Sequence, residues 1–184
     1  MTDSTTRDGE PSDVALIRRW RGGDERAATM LVERHAPAVS RFVASMGERT
    51  ELEEVVQDTF VRAFASLDSF REASSLRTWL FSIARNLWRD RARSSRRARL
   101  VVPLDEAHAL TAHDPLSAAV ATETESRLFA AMERLTETQR AVFTLRVTEG
   151  LTYREIAEVV DTTEGSARVH YHNAVRAVKE YLDE

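Results

Sequence analysis

Cysteine is absent from the 184 residues. That excludes a disulfide scaffold, a thiolate nucleophile, any Cys-ligated zinc or iron–sulfur site, and redox sensing by the chain's own thiols. Glycine (six) and proline (four) are scarce, which argues against a turn-dense all-β fold. The first forty residues hold no long apolar run of the kind a signal peptide needs, and no 18-residue apolar stretch occurs anywhere. The expectation is a cytoplasmic protein with no membrane insertion. Lysine is nearly missing as well: Lys179 is the single one among 26 basic residues. What is present is 42% hydrophobic residues, enough to build the core of one ordinary domain or two small ones.

A net charge of −4 argues, as a mean, against a nucleic-acid partner, but the charge is segregated. Residues 1–99 hold 18 Arg against 15 acids, a net of +3. Residues 100–126 hold five acids (Asp105, Glu106, Asp114, Glu123, Glu125) and no base. Residues 127–184 hold eight bases and ten acids. Seven Arg lie between Arg85 and Arg99 with Asp90 as the only acid among them. A basic stretch, an acidic connector and a mixed C-terminal block point to two modules with different tasks.

Met1 to Ser12 is polar and aperiodic and reads as a disordered lead. From Asp13, placed to cap the first helix, apolar residues recur at helical spacing. One helix stops at Gly22-Gly23, a second runs to Gly47 with Pro37 marking a kink or a new first turn, a third spans about 51–67, and a fourth about 76–97. Residues 13–98 form the first helical domain. Residues 99–126 form an acidic linker, partly helical from about 115, where Asp114-Pro115 opens a helix through about Leu135. Residues 127–184 form the second domain. It carries two capping boxes, Thr136 with Gln139 and Thr152 with Glu155, then the turn Asp161-Thr162-Thr163 and a last helix over about 164–182. No β-type alternation appears, so the predicted fold is all-α: two small helical domains on a flexible linker, the second with a helix-turn-helix.

On the last helix, Ala167, Tyr171, Ala174, Val178 and Leu182 fall within about 80° and form the core stripe. Arg168, Val169, His172, Asn173 and Arg176 share the other side, with donors suited to base edges or phosphates. A solvated packing face would hold such residues too; the short capped helix and tight turn before it favour DNA. On the fourth helix, Leu80, Ile83, Ala84, Leu87 and the stem of Arg91 form the predicted buried stripe. Ser82, Arg85, Asn86, Arg89 and Arg93 lie opposite, flanked by Trp79, Phe81 and Trp88. Cations bordered by rings suit melted or single-stranded DNA, with a solvated or membrane-surface face as the alternative. Glu53, Glu54, Gln57, Asp58 and Arg62 line the outer face of the third helix, either as solvated surface or as a strip for a cationic partner protein. His170 and His172, two apart on a helix, point about 200° apart and cannot share an ion. His35, His108 and His113 have no acid or His at ligand spacing. No metal, cofactor or catalytic residue is expected.

Five stretches carry a family resemblance. Glu53-Glu54-Val55-Val56-Gln57-Asp58-Thr59-Phe60, then Phe70-Arg71, then Thr78-Trp79-Leu80-Phe81-Ser82-Ile83-Ala84-Arg85-Asn86 resemble region 2 of bacterial extracytoplasmic-function (ECF) sigma factors. Leu151-Thr152-Tyr153-Arg154-Glu155-Ile156-Ala157-Glu158 and Gly165-Ser166-Ala167-Arg168 resemble their region 4. The resemblance implies a non-enzymatic initiation subunit that binds core RNA polymerase, through the β′ clamp helices and the β flap, and reads promoter DNA. It also implies control by an anti-sigma factor. It puts Glu54, Gln57 and Asp58 at the clamp-helix contact. It puts Phe70, Arg71, Ser74 and Ser75 in the loop that pockets a flipped −10 base, and Asn86 with Arg85 and Arg89 on the −10-reading helix, whose exposed face Arg93 extends. Arg168, Val169, His172 and Asn173 match −35 contacts, with Arg176 on the same face.

Departures from the family pattern are informative. Its recognition helix usually reads Gly-Thr-Val-Lys-Ser-Arg-Leu-His-Arg-Ala; here two of the cations are replaced by His170 and Asn173, and the Ser by Val169. Fewer phosphate contacts and an unusual −35 sequence are expected. A stand-alone helix-turn-helix repressor or activator is the competing class, separated by whether core polymerase is bound. An enzyme such as a nuclease or deaminase lacks both metal-site spacing and a nucleophile elbow.

Overall fold

A computed structural model describes residues 10–47, 51–70, 74–101 and 123–183. The predicted lead up to residue 9, Arg71, and the predicted linker over 102–122 lie outside the described residues. Eight α-helices are described: α1 (Asp13–Arg21), α2 (Glu25–Ser45), α3 (Leu52–Ala65), α4 (Leu76–Val101), α5 (Glu123–Glu133), α6 (Glu137–Val147), α7 (Tyr153–Val160) and α8 (Glu164–Asp183). A 3-10 turn, Leu67–Ser69, joins α3 to the loop before α4. No strand occurs among the described residues.

Local chemistry sets the boundaries. Ser12, not Asp13, caps α1: its hydroxyl accepts the Ala15 amide at 3.2 Å. Asp13 is thereby released from capping and ties α1 to α2, accepting from Arg34 at 2.7 Å and lying 2.9 Å from His35 Nε2. His35 therefore has an acidic partner after all, 22 residues away in sequence, where spacing along one helix could not reveal it. Helix α2 passes through Pro37 without ending, since one lost amide bond is outweighed by the packing of Leu31, Ala38, Val39, Phe42 and Val43 on both sides of it. Both predicted capping boxes are present, each with reciprocal bonds. Asp161 ends α7 in the left-handed region (φ 53°), and α8 starts three residues beyond it.

The two predicted helical blocks do not sit apart. A shared core joins Leu16, Leu31, Phe42, Val55, Leu80 and Phe81 of the first block to Val142, Leu145, Leu151, Ile156 and Val160 of the second. A smaller cluster, Ala131, Leu135, Ala174 and Val178, seats α5 on α8. Helix α4 is consequently sandwiched. Its predicted stripe packs on α2 and α3, and α7 packs on the helix from the second block. Phe81 and Arg85, expected to flank or oppose that stripe, are buried at 0% and 3% exposure, Phe81 against Phe42 of α2 and Arg85 beside Glu137 at the start of α6. A helical wheel assigns one buried side to a helix; here a second block covers the other.

Candidate functional site

The helix-turn-helix is built as its sequence predicts. Tyr153 to Val160 forms the first helix, and Thr163 caps the second by accepting the Ser166 amide at 3.1 Å. Ala167, Ala174 and Val178 turn inward. That leaves Arg168, Val169, His172 and Arg176 exposed and Asn173 half-buried on the outer side of α8. Arg168 is held by two neighbours, Glu164 one turn earlier at 2.9 Å and the Tyr153 ring at 5.0 Å. Arg146 also lies over the same ring, at 4.9 Å. Arg176 donates to Asn173 Oδ1 at 3.4 Å. The outer face of α8 thus presents two guanidinium groups, an imidazole, an amide and an exposed methyl pair, the set a major groove can discriminate.

On α4 the predicted face divides. Asn86 and Arg93 are exposed, whereas Arg89 is half-buried and Arg85 is closed off. Glu137, the first residue of α6, reaches both: its Oε1 lies 3.5 Å from Arg85 Nη2 and 3.3 Å from Arg89 Nε. Burial and the neighbouring Arg89 charge push the Arg85 guanidinium below its ordinary range, and its Nε has no hydrogen-bond partner. The loop before α4 holds Phe70 against Trp79 (centroids 5.0 Å apart) and Ser75, whose hydroxyl accepts the Thr78 amide at 3.1 Å. Phe70, Ser74, Ser75 and Leu76 line a cavity of about 510 Å³, closed on its other side by Asp13, Val14, Ile17 and Arg34.

A third surface lies on α3. Glu54, Gln57 and Asp58 are all exposed, as predicted for a docking strip. Beside them runs a groove of about 800 Å³ between α2 and α3, with apolar walls from Val32, Ala36, Val56, Phe60, Val61 and Phe64. Val61 is 61% exposed.

One contact between the two blocks has no counterpart in the sequence reading. Glu149, at the turn after α6, has a fully buried side chain that crosses from the second block to the first. Arg41 of α2 donates to it at 3.1 and 3.3 Å, and Arg77 of α4 pairs with it and also donates to its backbone oxygen at 3.0 Å. Gly150 follows at φ 71°, the left-handed turn that allows α6 to stop there. The only signal in the sequence is an acid before a helix-ending Gly, which is far too common to single out. Among the described residues, no group of three or more metal-ligating side chains is found, and no helix is long and apolar enough to cross a membrane.

Comparison with known proteins assigns this architecture. The family described as Sigma-70 region 2 matches residues 31–98, and Sigma-70, region 4 matches residues 126–178. The chain is 31% identical to the ECF RNA polymerase sigma-E factor of Haemophilus influenzae over 166 residues, covering 85% of this chain and 88% of that one. It is 30% identical to the sigma-E factor of Escherichia coli K12, covering 91% and 92%. Among solved structures, CnrH in complex with the cytosolic domain of CnrY superimposes with a TM-score of 0.70 at 28% identity, over 93% of this chain and 97% of that one. RpoE of Bartonella quintana, in complex with the anti-sigma factor NepR, shares the fold with a TM-score of 0.66 at 24% identity, over 84% and 96%. Two sigma-70 regions in order, spanning most of the chain, make this protein a member of the sigma-70 family, an RNA polymerase sigma factor of the ECF type.

Proposed function

We propose that this sigma factor is a cytoplasmic, non-catalytic subunit that docks on core polymerase through Glu54, Gln57 and Asp58 and reads duplex −35 DNA with the outer face of α8. Its −10 reader is α4 with the loop before it. Phe70, Arg71, Ser74 and Ser75 hold an unstacked base, and Asn86, Arg85, Arg89 and Arg93 hold the opened strand. Flipping a base costs a few kcal/mol, which stacking in a pocket and polymerase contacts offset. The observation that carries the reading is the single exposed face of α8, on which Arg168, Val169, His172 and Arg176 converge beside a capped helix-turn-helix.

Arg85 is 3% exposed while Asn86 and Arg93 are exposed, so the compact arrangement is a closed form in which the −10 helix is only partly available. Promoter reading therefore requires α6 and α7 to leave α4. An anti-sigma factor, like the partners seen with CnrH and with the Bartonella RpoE, would hold this closed form or cover its surfaces. Run-off transcription with core polymerase on a genomic promoter pool tests the reading. Initiation should depend strictly on this protein and select a common −35/−10 pair; promoter-independent initiation would refute it.

A further inference from the structure

The carboxylates of the α3 strip are gathered by one cation from another helix. Arg91, on α4, donates through Nη1 to Glu51 Oε2 at 2.9 Å and through Nη2 to Asp58 Oδ2 at 2.7 Å, with Glu54 Oε2 at 3.5 Å from Nη1. Its side chain is 24% exposed, against 71% for Glu54 and 50% for Asp58. A single planar fork thus spans two turns of α3, a geometry that the point charge of a lysine would not reproduce. Burial pulls the Arg91 guanidinium down, but the Asp58 hydrogen bond and the charges of Glu51, Asp58 and Glu54 outweigh it and hold it above its ordinary range. Each contact occupies one oxygen of its carboxylate. Glu54 and Asp58 stand one helical turn apart, where two like charges repel unless a cation lies between them.

We propose that Arg91 is a positioning residue for polymerase docking: it fixes Glu54 and Asp58 in one arrangement and leaves the second oxygen of each to a cationic helix of the partner. The proposal rests on the reading of the α3 strip as the docking surface. Pre-ordering lowers the side-chain entropy that binding must otherwise remove. It also explains why the docking cation sits on α4, two residues beyond Arg89: the helix that reads the −10 strand and the strip that meets polymerase are tied at one guanidinium.

The test is a titration of fluorescently labelled full-length protein with core polymerase, at several salt concentrations, for Arg91→Met, Arg91→Lys, Glu54→Gln/Asp58→Asn, and Arg91→Met in that double background. Arg91→Met should weaken assembly about five- to tenfold, Arg91→Lys should recover only part of this, and Arg91→Met should add nothing once the two carboxylates are gone. A purely structural role would instead lower the thermal midpoint and act additively in that background. Unchanged or tighter binding by Arg91→Met, or additivity, would overturn the proposal. If Glu54→Gln/Asp58→Asn itself binds core normally, the strip is not the docking surface, and the failure lies with that reading.

Discussion

Glu149→Gln isolates the contact that closes the molecule. The wild-type carboxylate is fully buried and receives two bonds from Arg41 and one from Arg77. Hydrogen bonds to charged groups contribute about 1.5–3 kcal/mol each, and removing one partner of a buried ion pair costs about 3–5 kcal/mol. Here the upper figures do not apply, because Arg41 and Arg77 keep 53% and 37% of their side chains in water and can re-solvate when the carboxylate is lost. The glutamine oxygen still accepts from one guanidinium, while its NH2 faces the donors of the other. The net loss should be about 2–3 kcal/mol, a shift of roughly 30- to 150-fold in any equilibrium that breaks this contact. Because the chain has no cysteine, two introduced ones at exposed Asp68 and Glu180 can be dye-labelled cleanly, and energy transfer between them reports separation of the blocks. Glu149→Gln should broaden the distribution toward low transfer while helicity is retained, and should raise cross-linking of a single-stranded −10 oligonucleotide to α4. Unchanged transfer, with the same thermal midpoint as wild type, would refute the claim that Glu149 holds the halves together.

Other consequences are open to measurement. Ile156→Ala removes a fully buried side chain from the core shared by the two blocks and should cost about 2–5 kcal/mol, read by urea denaturation. Asp13 and Glu155 have carboxyls held below their ordinary 3.8 and 4.5: burial of Asp13 is outweighed by His35 and Arg34, and Glu155 is lowered first by the Thr152 amide. Lowered folded-state values mean stability that is full above the unfolded-state values and lost as pH falls through the folded ones. Thermal midpoints should therefore be flat from neutrality to about pH 5 and fall below about pH 4.5, and Glu155→Gln should flatten part of that fall. Arg168→Ala in the holoenzyme should cost about 1–3 kcal/mol at one −35 base pair and relax preference there, visible in a promoter-substitution panel. The free protein on duplex DNA should show a shallow salt dependence, a log–log slope of magnitude about 2 or less, since Arg168 and Arg176 are the only cations among the five residues proposed to read DNA on α8.

The helices, both capping boxes and the exposed outer face of α8 were legible because each depends on residues three or four apart. What stayed hidden depends on contacts between distant segments. The wheel of α4 correctly separated Leu80, Ile83 and Ala84 from Asn86 and Arg93, yet it could not know that Glu137 would approach Arg85 across 52 residues. The same limit assigned the α1 cap to Asp13, although Ser12 has the hydroxyl at the right distance once the chain turns in, and left His35 without its Asp13 partner. Arg91 was predicted by its stem alone; the direction of its fork became visible only with α3 in place. The polymerase strip was assigned by resemblance, because exposed Glu, Gln and Asp on a helix carry no chemistry of their own to distinguish them from ordinary surface.

The placement of the acids accounts for the difficulty that the net charge first raised. Cations that the sequence offers to DNA or to the basic stretch are met, in the closed form, by carboxylates of the chain itself: Arg85 and Arg89 by Glu137, Arg91 by Glu51, Glu54 and Asp58, Arg168 by Glu164, and Arg77 by Glu149. A guanidinium already paired releases few counterions on meeting a phosphate, since its carboxylate must be set free in exchange. On the proposed reading, internal pairing should lower the free protein's DNA affinity beyond the effect of its modest net charge. For Arg77, Arg85 and Arg89 the pairing is reversible, because Glu149 and Glu137 belong to the second block and would leave if that block were drawn away. Moving the second block onto its own DNA element would unmask Arg85 and Arg89 in the same step. On the proposed reading, Glu137 of α6 and Glu149 of the turn after it would make promoter reading conditional on the second block leaving α4.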